Sequence, residues 1–139
     1  MQQEAIAIKY NLVPLNFTLA NTAANQDGTA VPIDVNAVKY TMPYAGWLVA
    51  MSVSMSTDVT AESIVFKPMI NTTEYTTLAV TLNTTTGSTQ YGTNKVPYGA
   101  IPFAENDEIG VVYDSHASYT PTTADVHVVL YALLRDCDF

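Results

Sequence analysis

The chain has 139 residues, 48% of them apolar and 13% charged, with 13 acidic residues against 5 basic ones and a formal charge of −8. That length suits one domain, because folding a chain of this size buries roughly two thirds of its surface and needs no staple. Lys9, Lys39, Lys67, Lys95 and Arg135 are spread along the chain, which argues against the clustered basic residues that a phosphate backbone or an anionic membrane requires.

Neither nucleic acid nor membrane is therefore expected as a partner. A single cysteine, Cys137, makes no intrachain disulfide, and without a nearby His it is a poor nucleophile. The opening MQQEAIAIKYNLVPL has neither a basic region nor a long apolar segment, so no signal peptide is expected. No run approaches the roughly 20 apolar residues of a membrane span. Synthesis in a host cytoplasm is the expectation.

In chain order, residues 4–10 alternate Ile6, Ile8 and Tyr10, and Leu15, Phe17 and Leu19 share one face of a second short segment, with Pro14 between them. Proline suits an edge or a bend. Residues 21–28, NTAANQDG, have the most turn-like composition of the chain. Residues 1–35 read as one or two edge strands and a loop, with two placements open: an arm reaching beyond its own sandwich, or a strand paired with the last one.

Residues 40–71 carry the clearest pattern. Trp47, Val49, Met51, Val53 and Met55 are large and apolar, while Ala50, Ser52, Ser54 and Ser56 are small. Alternation of this length marks a strand, with the odd face expected in the core and the small face free for close packing against a loop, a strand or a subunit. Ile64, Phe66 and the stem of Lys67 form a second alternating run, and residues 75–82 a third with its apolar side at Leu78, Val80 and Leu82.

Residues 83–94, NTTTGSTQYGTN, read as a long exposed loop. Residues 96–103 are extended and broken by proline, Asn106 and Asp107 make a turn into residues 108–113, and residues 114–123 are a polar loop. Residues 126–134, VHVVLYALL, are the most apolar run and read as a strand buried on both faces. About eight short strands with turn signals every 8–12 residues predict an all-β antiparallel sandwich, residues 36–139 forming its body. Repeats, heptads and Gly-x-y runs are absent from the sequence.

YTMPYAGWL at 40–48, DVTAE at 58–62, MIN at 69–71, PFAENDEIGV at 102–111 and the closing run 126–134 together resemble the small jelly-roll domains of tailed-phage virion proteins. Those domains share the fold of tumour necrosis factor and the complement globular head. Three departures stand out: Asn106 replaces the usual glycine before the Asp, and Glu62 and Thr72 stand where glycines commonly follow. The resemblance implies a jelly-roll β-sandwich, a homotrimer and a place in the virion, as capsid decoration, head fibre or fibre tip.

Little in the sequence suggests catalysis, a cofactor or a metal. Asp114, Ser115 and His116 contain the residue types of a hydrolase triad, but neighbours on one loop do not converge as a triad must, and no Gly-x-Ser-x-Gly elbow occurs. The carboxylates at Glu105, Asp107 and Glu108, and at Asp136 and Asp138, lack the spacing of a calcium loop. Sequons at Asn16, Asn71 and Asn83 are the chance product of an Asn- and Thr-rich chain.

With no shaft-forming repeat, the resemblance favours a trimeric decoration (cement) protein on the outside of a phage head, with the major capsid protein as partner. Leu12, Leu15, Phe17 and Leu19 are the capsid-contact candidates, and Ser52, Ser54, Tyr113, His127 and Tyr131 the trimer-interface candidates. The alternative is a receptor-binding fibre head whose 83–94 and 114–123 loops meet a cell-surface glycan.

Overall fold

The computed structural model describes residues 7–85 and 88–138. Residues 4–6 of the first expected strand and residues 86–87 of the expected loop lie outside these, as do the side chains of Ile8, Tyr10, Asp136, Cys137 and Asp138. The described residues hold eleven strands and one 3-10 turn: β1 (Ala7–Leu19), β2 (Thr29–Val31), β3 (Lys39–Thr41), β4 (Gly46–Met55), β5 (Ser63–Ile70), β6 (Thr73–Glu74), the turn Thr76–Leu78, β7 (Val80–Asn83), β8 (Tyr91–Lys95), β9 (Ile101–Phe103), β10 (Glu108–Ser115) and β11 (Val126–Asp138).

They form two antiparallel sheets packed as a β-sandwich. One sheet runs β1-β11-β4-β8 with β9 continuing beside β4, and the other runs β2-β10-β5-β6 with β3 on β10 and β7 on β5. Sequence-distant strands pair within each sheet, so the fold closes through crossovers between sheets in the jelly-roll manner.

β1 lies along β11 for its full length, from Ala7 opposite Asp138 to Leu19 opposite Val126. Pro14 sits opposite Tyr131 in this edge strand, where its missing N–H costs no ladder bond on the solvent side. The pairing turns Leu15 and Phe17 inward, 5% and 0% exposed.

β4 departs from its sequence pattern. Tyr131 is opposite Ala50, but the next residue, Ala132, is opposite Leu48, so Val49 is an extra residue in a β-bulge. A bulge shifts the phase of alternation by one residue. Met51, Val53 and Met55 are buried as their alternation predicts, whereas on the other side of the bulge the core residue is Leu48 at 0% exposure, and Trp47 and Val49 face outward.

Two further expectations need correction. The last third of the expected 83–94 loop belongs to the edge strand β8, paired with β4 from Ala50–Lys95 to Ser54–Tyr91. Its polar side chains contribute little burial; backbone pairing and the close approach at Gly92, where a Cβ would sit 2.6 Å from Val80 Cγ1, hold it in place. β11 buries only its even face, Val126 to Leu134, while His127 is exposed and Val129, Tyr131 and Leu133 are half-buried. The strand buried on both faces is β10, with all of Ile109–Tyr113 inaccessible. Lys39 and the Val38 carbonyl lie over it at Gly110, and the 21–28 segment is tied to its far end.

The turns explain the departures from the resemblance. Glu62 (φ 61°) and Asn106 (φ 73°) both adopt the left-handed backbone that glycine takes most easily. At the third position Asn71 itself (φ 55°) turns left-handed, so Thr72 need not.

Candidate functional site

The outer face of the β1-β11-β4-β8-β9 sheet is built from four cross-strand rows. Thr18, His127, Ser54 and Tyr91 form the first, and Asn16, Val129, Ser52 and Thr93 the second. Pro14, Tyr131, Ala50 and Lys95 form the third, and Leu12, Leu133, Trp47 and Pro102 the fourth. In the fourth row Leu12 is 59% exposed, and Tyr98, exposed to the same degree, packs its ring on Trp47 at 4.6 Å between centroids. A band of apolar and aromatic surface thus crosses one end of the sheet.

Beside that band the small side chains Ala50 and Ser52 leave a groove of about 510 Å³, walled by Tyr131 on one side and by Thr93 and Lys95 on the other. Ridge, groove and small floor make a surface that a complementary protein face can fill. Polar positions on the face are already oriented: the His127 Nε2 lies 3.0 Å from Asn16 Oδ1, and Tyr40 donates its hydroxyl hydrogen to the Asn16 carbonyl at 3.0 Å.

Of the trimer-interface candidates, Ser52, Ser54, His127 and Tyr131 lie together on this face. Tyr113 does not: it is 2% exposed in the opposite sheet, packed on Phe66 with its hydroxyl accepting from Ala23 N, and no partner can reach it. The capsid-contact candidates divide by strand parity. Leu15 and Phe17 are core residues that no partner surface can touch, Leu19 is half-buried against the core, and Leu12 alone stands out on the surface. Alternation alone points Trp47 into the core, because the bulge that turns it outward has no signature in the pattern of side chains.

The opposite sheet presents a different face. There Lys67 reaches Asp114 and, at 2.7 Å, Glu74. Burial pulls the Lys67 pKa down, but the two carboxylates outweigh it and hold the ammonium above its ordinary value. Burial likewise pushes Asp114 up, yet Lys67 and the Gly28 N–H (2.6 Å) leave its carboxyl below the usual range. These groups bond one another and the 21–28 segment, so they serve the fold.

The Asp114, Ser115 and His116 side chains diverge. Asp114 binds Lys67 and Gly28, Ser115 donates to the Ala23 carbonyl (2.6 Å) and accepts from Gln26 N, and His116 accepts from Ser118 N through Nδ1 with Nε2 3.9 Å from Glu62. Asp107 is likewise a turn residue, accepting from Ala104 N (2.8 Å) and Asn71 Nδ2; these bonds hold its pKa below the ordinary value. Among the described residues no three His, Cys, Asp or Glu gather as metal ligands, and no helix is long and apolar enough to cross a membrane.

No protein-family model and no curated protein sequence matches the chain. Solved structures similar to it include three of viral origin. One is a chain of Desmodium yellow mottle tymovirus, 11% identical with a TM-score of 0.44, the match covering all of this chain and 94% of the other. The second is from an acidic stable capsid structure of Helicobacter pylori bacteriophage KHP30, 12% identical with a TM-score of 0.48, covering 96% of this chain and all of the other. The third is from the capsid asymmetric unit of cyanophage Pam1, 11% identical with a TM-score of 0.46, covering 96% and 91%.

Proposed function

We propose that the chain is a structural virion protein, a decoration (cement) subunit that assembles as a homotrimer and binds the major capsid protein on the outside of a phage head. The observation that carries this reading is the outer face of the β1-β11-β4-β8-β9 sheet. It combines an exposed aromatic and aliphatic band with a groove floored by small residues, the composition that gives a protein–protein contact its anchors and its close packing. The motif order at residues 40–134 supports the virion assignment.

With Leu15 and Phe17 in the core, partner contacts shift to residues that share a surface: Leu12, Trp47, Tyr98, Ser52 and Tyr131. Three copies around one axis add their separate weak contacts to a common target, so avidity replaces a large interface per subunit. The role asks for positioned surface rather than bond chemistry, so the subunit acts without a cofactor.

The test mixes purified protein with undecorated heads and, separately, with host cells, and follows which pellet it joins. Ser52→Arg fills the groove floor with a bulky charge; it is expected to abolish trimers in sedimentation equilibrium while leaving the circular-dichroism spectrum of the sandwich unchanged. A wild-type protein that stays monomeric, or that pellets with cells and not with heads, overturns the reading.

A further inference from the structure

One corner of the sheet has a character of its own. Tyr91 projects from the edge strand β8 with 60% of its surface exposed, the most exposed aromatic ring among the described residues. It lines one open groove, and its cross-strand neighbour Ser54 lines a second. The groove that Tyr91 lines, about 320 Å³, is completed by Asp58, Ser88, Thr89 and Gln90; the second, about 490 Å³, joins the polar Ser54, Ser56, Asp125 and His127 to the apolar Leu19 and Val126.

The polar groups in these grooves are held in place by bonds to the fold. Gln90 donates its side-chain amide to the Met55 carbonyl at 3.0 Å, and Thr89 donates its hydroxyl hydrogen to Asp58 Oδ1 at 2.8 Å. Ser56 Oγ accepts from Asp125 N at 2.9 Å, which leaves its hydroxyl hydrogen for another acceptor, and Asp125 Oδ1 accepts from Asn21 N at 3.0 Å. The corner therefore offers donors and acceptors already oriented before any ligand arrives, which lowers the ordering cost of binding.

We propose that the Tyr91 corner is a binding site for a neutral saccharide, with one sugar ring stacked on the Tyr91 face and its hydroxyls shared between the two grooves. The exposed ring presents the negative face of its quadrupole, which attracts the weakly positive C–H edge of a pyranose. Each sugar hydroxyl both donates and accepts, matching a lining that mixes carboxylates, hydroxyls and an amide. Asp58 and Asp125, on a chain of net charge −8, repel carboxylated or sulfated sugars, so the site selects uncharged ones. The site lies at the opposite end of the sheet from the Leu12–Trp47 band.

The test uses saturation-transfer NMR and titration calorimetry on the full chain. The probes are the methyl glycosides of glucose, galactose, mannose and N-acetylglucosamine, with lactose and 3′-sialyllactose as a charge pair. At least one neutral probe is expected to bind with a millimolar or lower Kd. Tyr91→Ala is expected to weaken it by about tenfold or more, and Tyr91→Phe to keep it within about threefold, since the ring and not the hydroxyl supplies the stack. Ser56→Trp, which fills the larger groove from an exposed position, is expected to give the same loss should Tyr91→Ala disturb the edge strand. Absence of binding by every neutral probe, unchanged binding in both variants, or tighter binding of 3′-sialyllactose than of lactose overturns the proposal. Head binding and trimerisation are measured separately, so failure here leaves the decoration reading standing, and failure of that reading leaves this one.

Discussion

Gly46 of β4 lies directly under the carbonyl oxygen of Leu133 in β11, so close that any Cβ at position 46 would overlap it, and Phe103 Cζ would be only 2.9 Å away. The contact is with backbone, which cannot swing aside as a side chain can. It sits beneath the apolar band of the outer face and fixes the spacing of β11, β4 and β9 there.

Gly46→Ala is accordingly expected to destabilise the protein by about 2–4 kcal/mol, because strands must separate to admit one methyl group. Gly99→Ala is the matched comparison: its φ of 90° is strained for alanine but nothing lies within 4 Å, so the cost is about 1–2 kcal/mol from backbone alone. Urea unfolding midpoints compare the two, and a smaller loss at Gly46 than at Gly99 would refute the close approach.

The bulge in β4 makes adjacent residues unequal. Leu48→Ala removes a side chain of 0% exposure and is expected to cost about 2–5 kcal/mol, while Val49→Ala trims an outward residue and should cost less than about 1 kcal/mol. Unbroken alternation from Trp47 to Met55 would reverse the order. Denaturation of the two variants side by side decides between them.

Glu62 takes a left-handed backbone that glycine adopts without strain. Glu62→Gly is expected to raise stability by about 0.5–1 kcal/mol, strain relief exceeding the entropy glycine adds to the unfolded chain. Its carboxylate lies 3.9 Å from a half-exposed His116, a surface contact that contributes little. A lowered melting temperature in Glu62→Gly would show that this side chain matters more than its backbone.

The ion cluster of the other sheet sets the response to acid. The folded-state pKa of Asp114 is depressed, so its contribution is present above the unfolded carboxyl value of about 3.9 and disappears as pH falls through the folded value. Lys67 is raised, so its contribution is complete below about 10.4 and disappears as pH rises through the folded value. Asp114→Asn should therefore flatten the loss of stability below about pH 4 while lowering stability at neutral pH. Thermal melts from pH 2 to pH 8 on both proteins read this out; parallel curves would remove Asp114 from the acid response.

Local pattern carried a large share of the fold. The Met51, Val53, Met55 face, the Ile64, Phe66 face and Val80 with Leu82 are buried as their spacing predicts, because a strand's side chains alternate whatever lies beside them; Leu78, expected in the same strand, is buried from a 3-10 turn instead. The low density of charge and the regular turn signals pointed to a two-sheet β-sandwich, and such a sandwich is what the chain forms. The turn at Asn106 and Asp107 could be placed from residue type, and Asn106 takes the left-handed backbone of the glycine it replaces in the resemblance.

Other features depended on which strands meet. The extra residue at Val49 exists only relative to β11, so nothing in the β4 sequence reveals that Trp47 turns outward while Leu48 turns in. The polar 91–95 segment becomes a strand because β4 offers it an unpaired edge, and Leu15 and Phe17 are core rather than contact because β1 folds back along β11. The gathering of Leu12, Ser52, Tyr91 and Tyr131 on one face is likewise a matter of register between strands far apart in the chain. Side-chain periodicity is a property of one strand, and was legible; cross-strand register is a property of two, and only the tertiary structure decided it.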